Sequence, residues 1–420
     1  MNLSSSKLLI MDRGELSHVA EFLARYFGKT YYHCITSDPY PDSPIAHIGE
    51  GLPDVEWTDR PWKLILKDKI DLVFFPDVYD SDQALIIQKL GIPVSGCLNS
   101  SIMELDKYHF KTVCHNAGLP VTPTHRCEGL DDLWEYVKDK EGPLFLKSLE
   151  PYRGDWETYK HRNKYATELH INQKRDKLGL SRSKAIEIGV EKPAKSVGEI
   201  GVDGFRLNGN LPKQIPCGYE LKDAGIIEKV FEGLPPVLQK IYDALSPEYE
   251  KLGCQGPYSS ENIITDGGKL IPIDETLRCG SPTTGAIMEM YGEKYAEMIY
   301  ALAHGEMIEV KDYTPYGAEL MLNSEVYLER EIHVGMSKEV APHVRLRNSH
   351  KKDGQWYCVP NGTGSTFGTL AASGKTPKEA YEKVLEMADH VEVDHLDYDD
   401  YCFEECEKAI EAGKEIGIDW

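Results

Sequence analysis

Short apolar runs alternate with amphipathic ones over the first hundred residues, and this alternation limits the fold more than any other feature. KLLIMD (7–12) reads as a buried strand, Leu16 to Phe27 has helical periodicity, and TYYHCITS (30–37) reads as a second strand. DLVFFPDV (71–78) is a third strand, SDQALIIQKL (81–90) a helix, and IPVSG (92–96) a fourth strand. Parallel neighbours need a crossover long enough to hold a helix, so strands separated by helices predict a parallel, doubly wound sheet. Residues 1 to about 100 therefore read as a Rossmann-like α/β domain. Such sheets meet ligands at the carboxyl ends of their strands. Asp12, Arg13, Gly14 and Glu15 fall at one such end, and Asp77 and Asp80 at another. The G-x-G-x-x-G fingerprint is missing, so a dinucleotide is not indicated.

The middle of the chain changes character. Asp106 to Asn116 is an amphipathic helix with Gly118 placed to end it. Lys107 lies in its first turn, where a cation opposes the helix dipole; it is either exposed or held by an anion. After a helix near Asp131 to Asp139, GPLFLKS (142–148) is a short buried strand carrying Lys147. That lysine either snorkels or contacts a phosphate. Residues 151–184 are basic in a chain of formal net charge −22. Arg153, Lys160, His161, Arg162 and Lys164 either cap a polyphosphate or belong to a charged insertion. KAIEIGVEKP (184–193) reads as a strand, residues 199–223 as paired strands, and Leu234 to Leu252 as helical.

The stretch ENIITDGGKLIPIDETLRCGSP (261–282) carries the chemistry. Two β-prone runs flank Asp266-Gly267-Gly268, which predicts a hairpin with Glu261 opposite Asp274 or one step off it. Facing carboxylates lie about 5 Å apart and repel, and a hard divalent cation is the usual compensation. Side chains at every other strand position share a face, so Asp274, Thr276 and Arg278 point the same way. A metal beside an arginine suits phosphate handling, because both stabilise charge on oxygen. A solvated acidic hairpin is the plain alternative, and Pro272 favours an edge or irregular strand.

Thr284 to His304 reads as one long helix. From about 306 onward, short strands precede a helix at 376–391 with Thr376 as N-cap and Pro377 at its first position. This reads as a small α+β cap, followed by an acidic tail, helical at 399–413. His390, His395, Cys402 and Cys406 form a weak zinc pattern; a helix with both cysteines on one face is the simpler account. The other cysteines among the ten lack framework spacing, which fits reduced thiols and a cytoplasmic setting. No apolar run is long enough to span a membrane, and the acidic balance argues against a general nucleic-acid partner.

In order and spacing, these parts resemble the ATP-grasp superfamily, closest to phosphoribosylamine–glycine ligase and its carboxylate–amine ligase relatives. LDKYHFK matches the lysine-bearing helix that opens the family's grasp domain, AGLPVTPT (117–124) the phrase after it, and PLFLKS the strand ending on a second lysine. VEKP and GEIGVDG resemble the hinge, Asp274 to Arg278 the acid–x–Asn–x–Arg metal strand with Thr276 in the Asn place, and GTLAASGKTPKEAYEKV a C-terminal element. The family's glycine-rich flap is reduced to Pro151–Asp155, and RCGSPTTG lacks its acid after Pro282.

The resemblance implies a Rossmann-like domain (1–100), a two-lobed ATP-grasp domain (101–305, with a basic insertion near 155–184) and a C-terminal α+β cap (306–420). It implies an ADP-forming ligase that joins a small-molecule carboxylate to an amine through an acylphosphate. ATP would be bound by Lys107, Lys147, Ser148, Glu191 and Glu199. Mg²⁺, or Mn²⁺ in its place, would be held by Glu261, Asp274 and Thr276 (or Glu275 in place of Thr276), and Arg278, Lys147 and Arg153 would serve the transfer. A monomer or homodimer is expected. A peptide-type ligase and a nucleotide-binding module without catalysis are the alternatives.

Overall fold

The computed structural model describes residues 2–35, 47–149, 158–360 and 364–420. Near the N-terminus a five-stranded parallel sheet runs in the order Val55–Trp57, Lys29–Cys34, Lys7–Asp12, Leu72–Phe74, Val94–Ser95. The doubly wound expectation holds, and the sheet gains a strand, Val55–Trp57, that is too short and polar to carry a pattern of its own. Leu8, Leu9, Ile10, Leu72, Val73 and Phe74 have no exposed surface, as strands covered on both faces require.

A four-stranded antiparallel sheet follows, in the order Thr124–Glu128, Glu187–Glu191, Leu144–Ser148, Thr158–His161. Helices Gly129–Val137 and Lys164–Ala185 cover one face. Leu144, Leu146, Ile188 and Val190 point into that covered side. Strand alternation then turns Phe145, Lys147 and Glu191 to the other face. The described part of the basic stretch is thus built into this lobe as an edge strand and a covering helix, and does not hang from it as an insertion.

The largest sheet has ten strands among the described residues and contains Gln255–Thr265, Ser196–Val202, Gln214–Leu221, Gly225–Glu232, Tyr316–Ser324 and Thr366–Gly374 as consecutive neighbours. It runs across the boundary expected at 305. The hairpin is present: Leu270–Thr276 pairs with Gln255–Thr265 around a turn at Gly268, which has φ +70°. Helix Pro236–Leu252 packs Leu238, Ile241, Leu245 and Tyr249 into the large core, which also takes up Cys402, Phe403 and Cys406 of the C-terminal helix Cys402–Glu415. All ten cysteines are free and buried. His390 and His395 are exposed, so the weak zinc pattern dissolves into a core helix and a surface loop.

One long helix was expected over Thr284 to His304. Two are found, Thr284–Tyr291 and Glu293–Ala303, because Gly292 takes φ +54° and turns the chain between them.

Candidate active site

The parallel sheet is stitched to the large sheet where their loops meet. Gly96 and Gln255 exchange backbone hydrogen bonds of 2.9 and 3.2 Å, and the Cys279 amide donates to the Pro76 carbonyl at 2.9 Å. A Cβ on Gly256 would come within 3.0 Å of the Gly96 backbone, so glycine is needed for this close approach. The Asn348 amide donates to the Gly14 carbonyl at 2.8 Å, which adds a loop from the C-terminal region.

Between the small and large sheets lies a cleft of about 310 Å³. Lys107, Lys147, Glu191, Glu199, Glu261, Asp274, Thr276 and Arg278 all line it. Residues more than 160 positions apart in sequence therefore face one space. Arg153 and the reduced flap Pro151–Asp155 lie outside the described residues. Ser148 does not line the cleft; it is 2% exposed, because alternation turns it to the opposite side of the strand from Lys147. His161 is fully buried, with its ring nitrogens bonded to Thr167 Oγ1 at 2.7 Å and the Lys140 carbonyl at 3.1 Å, so it caps no polyphosphate. The Lys164 ammonium sits over Trp134 of the covering helix, on the far side of the lobe.

In the hairpin register Glu261 faces Asp274 directly. Burial, and then the charge of Asp274, push the Glu261 carboxyl up to about 7. Asp274 is held below its ordinary range despite burial, chiefly by the charge of Lys107, whose Nζ donates to Asp274 Oδ2 at 2.8 Å. The Lys107 cation in the first helical turn is thus held by an anion. Asp106 caps that helix by accepting the His109 amide at 2.8 Å. Glu275 also lines the cleft, but its side chain is buried: burial lifts it to about 7, and it accepts the Tyr249 hydroxyl. Two opposed, poorly solvated carboxylates fit a divalent cation. Among the described residues no three His, Cys, Asp or Glu side chains gather at one point.

Four neighbours were not identified from sequence. Glu104 orients the arginine, its two oxygens accepting from Arg278 Nε at 2.9 Å and the Leu277 amide at 2.6 Å. Lys111 pairs with Glu191. Lys222 lines the cleft beside Glu220. Arg347, bonded to Ser281 and 3.6 Å from Glu15, has its pKa drawn down to about 10 by burial, with Arg278 nearby adding to the effect. Lys111 had a signal, since it stands four residues after Lys107 on the same helix face. Arg347 had none, because 69 positions separate it from Arg278 (347 − 278). Asp12, at the expected strand end, is spent internally: it accepts from Tyr32 Oη, the Arg13 amide and the Leu16 amide.

No family profile matches this chain, and no curated protein matches it in sequence. Solved structures do match. Phosphoribosylamine–glycine ligase from Thermotoga maritima aligns over 94% of this chain and 99% of its own, with TM-score 0.68 and 15% identity. The biotin carboxylase domain of Hydrogenobacter thermophilus 2-oxoglutarate carboxylase, solved with MgADP, ADP and bicarbonate, aligns over 96% and 98%, with TM-score 0.67 and 14% identity. L-amino acid ligase from Bacillus licheniformis aligns over 93% and 99%, with TM-score 0.61 and 14% identity. These are ATP-grasp enzymes, and this chain has the ATP-grasp fold.

Proposed function

We propose that this chain is an ATP-dependent ligase that joins a carboxylate to an amine and releases ADP and phosphate. The observation that carries this reading is the meeting of two lysines, two opposed carboxylates and a tethered arginine in one cleft between two lobes. Lys107 and Lys147 neutralise the nucleotide phosphates. Glu261 and Asp274, with Thr276 beside them, would hold a divalent cation, Mg²⁺ or Mn²⁺, whose chemistry when bound would be to offset negative charge on phosphate. Glu199 faces the nucleoside. Arg278, held by Glu104, stabilises the charge on the transferring phosphoryl group, and Arg347 adds a second guanidinium at the acceptor end.

An oxygen of the substrate carboxylate attacks the γ-phosphorus, the bond to the β-phosphate oxygen breaks, and ADP leaves with its electrons. The amine lone pair then attacks the acyl carbon. The carbon–oxygen bond to phosphate breaks, inorganic phosphate leaves, and nitrogen gives up a proton to form the amide. Positioning and electrostatics supply the rate, with no covalent protein nucleophile. Likeness to phosphoribosylamine–glycine ligase makes glycine with a sugar amine the first pair to try, and likeness to L-amino acid ligase makes two amino acids the second.

The test is ADP and phosphate release from Mg-ATP across carboxylate–amine pairs, with the carboxylate labelled with ¹⁸O. Release that needs both partners and carries one ¹⁸O into phosphate is expected. Release that needs bicarbonate in place of an amine–carboxylate pair, or no release beside intact ATP binding, would overturn the reading.

A further inference from the structure

Helix Lys107–Asn116 carries two lysines on one face, and each pairs with an acid of a different sheet. Lys107 meets Asp274 of the large sheet, and Lys111 meets Glu191 of the small one. An ammonium has three donors. Lys111 spends one on Glu191 Oε1 and the others on Thr122 Oγ1 and Thr124 Oγ1, each at 2.8 Å. It is 9% exposed and does not line the cleft, so it is not placed to touch a ligand.

Glu191 is shared unequally. Oε1 accepts from Lys111 and from Thr124 at 3.0 Å, and Oε2 accepts from Thr122 at 3.2 Å. Lys147 Nζ stands 3.8 Å from Oε2, beyond hydrogen-bond reach. The Glu191 side chain, on the lining of the cleft, thus takes three hydrogen bonds from protein donors. Among the described residues the Lys147 ammonium is ion-paired with Glu191 without a hydrogen bond, and it lines the cleft.

We propose that Lys111 is the positioning residue for Lys147: by closing the hydrogen-bond set around Glu191, it keeps the Lys147 ammonium turned to the cleft and available to a nucleotide phosphate. Without Lys111, a buried carboxylate would have one cation within reach, and attraction is strong where water is scarce. The gap would close to ordinary charge-assisted contact, roughly 2.8 Å, and Lys147 would be withdrawn from the phosphates. The inference rests on reading the cleft as a Mg-ATP site.

Calorimetric titration of Mg-ATP, and of adenosine by competition, into the full chain tests it. Lys111→Met is expected to weaken Mg-ATP about tenfold and to leave adenosine unchanged, since Lys147 reads only phosphates. Lys111→Met with Glu191→Gln removes the charge that traps Lys147, and is expected to recover Mg-ATP affinity to within about threefold. A role in stability alone would move ATP and adenosine together and would not be rescued. Unchanged Mg-ATP affinity in Lys111→Met, equal loss for both ligands, or no rescue in the balanced double variant overturns the inference. Lys147→Met separates the two readings: if it weakens Mg-ATP while Lys111→Met does not, only this inference fails. If the unsubstituted protein does not bind Mg-ATP, both fall.

Discussion

The His18 imidazole, 6% exposed, has its pKa driven down to about 3, first by burial and then by the charges of Arg345 and Arg347. Above pH 6.5 it is neutral in both the folded and unfolded chain and costs nothing. Below that value the unfolded chain binds a proton that the folded chain refuses, so stability falls as pH drops from 6.5 toward 3. Between pH 7 and 5 this residue accounts for about 2 kcal/mol of lost stability. Denaturant unfolding at both pH values should show that loss shrinking by this amount in His18→Gln; equal losses in the two proteins would contradict the assignment. Residues of the cleft were legible where spacing along one element fixes a shared face. Asp274 and Thr276 on strand Leu270–Thr276 are such a set, and Arg278, two residues past its end, joins them in the cleft. Glu104 and Arg347 were not legible, because their meeting with Arg278 is a product of tertiary packing.

Capping and turn chemistry carried most of the information about elements. Thr376 has the sequence signature of an N-cap, and its hydroxyl accepts the Glu379 amide at 3.1 Å, with Pro377 at the first helical position. Thr376→Ala should cost about 1 kcal/mol, measured as a shift in the denaturant midpoint, while Thr376→Ser should stay near the native value. No change in Thr376→Ala would mean that the helix is held by its packing alone. The same logic explains the misses. Gly292 sits inside a continuous apolar pattern, and periodicity alone does not reveal that it takes a positive φ. Val55–Trp57 is too short for alternation to register, and only its partner Lys29–Cys34 makes it a strand. The basic stretch 151–184 offers a polyphosphate cap or a charged insertion by composition, yet in its helix Lys164–Ala185 the side chains of Thr167, Ile171, Lys174 and Ser183 are buried.

At the scale of the molecule, a net charge of −22 repels an anionic nucleotide. At physiological salt that repulsion fades within about 8 Å, so the cations inside the cleft decide binding. Lys107, Lys147, Lys192 and Lys222 all line it. The order of parts along the sequence was enough to indicate the architecture, because each sheet is assembled largely from local or neighbouring segments. The ten-stranded sheet is the exception: it takes strands from both sides of residue 305, a continuity that local patterns do not report. On the proposed reading the cleft holds a metal-bound nucleotide between the lysines and the opposed acids. The most direct measurement is a crystal structure grown with Mg²⁺ and a non-hydrolysable ATP analogue. A cation between Glu261 and Asp274, phosphates against Lys107 and Lys147, and Lys107 released from Asp274 are expected. An analogue bound elsewhere, or a filled cleft with Lys107 still paired to Asp274 and no cation between the acids, would contradict that reading.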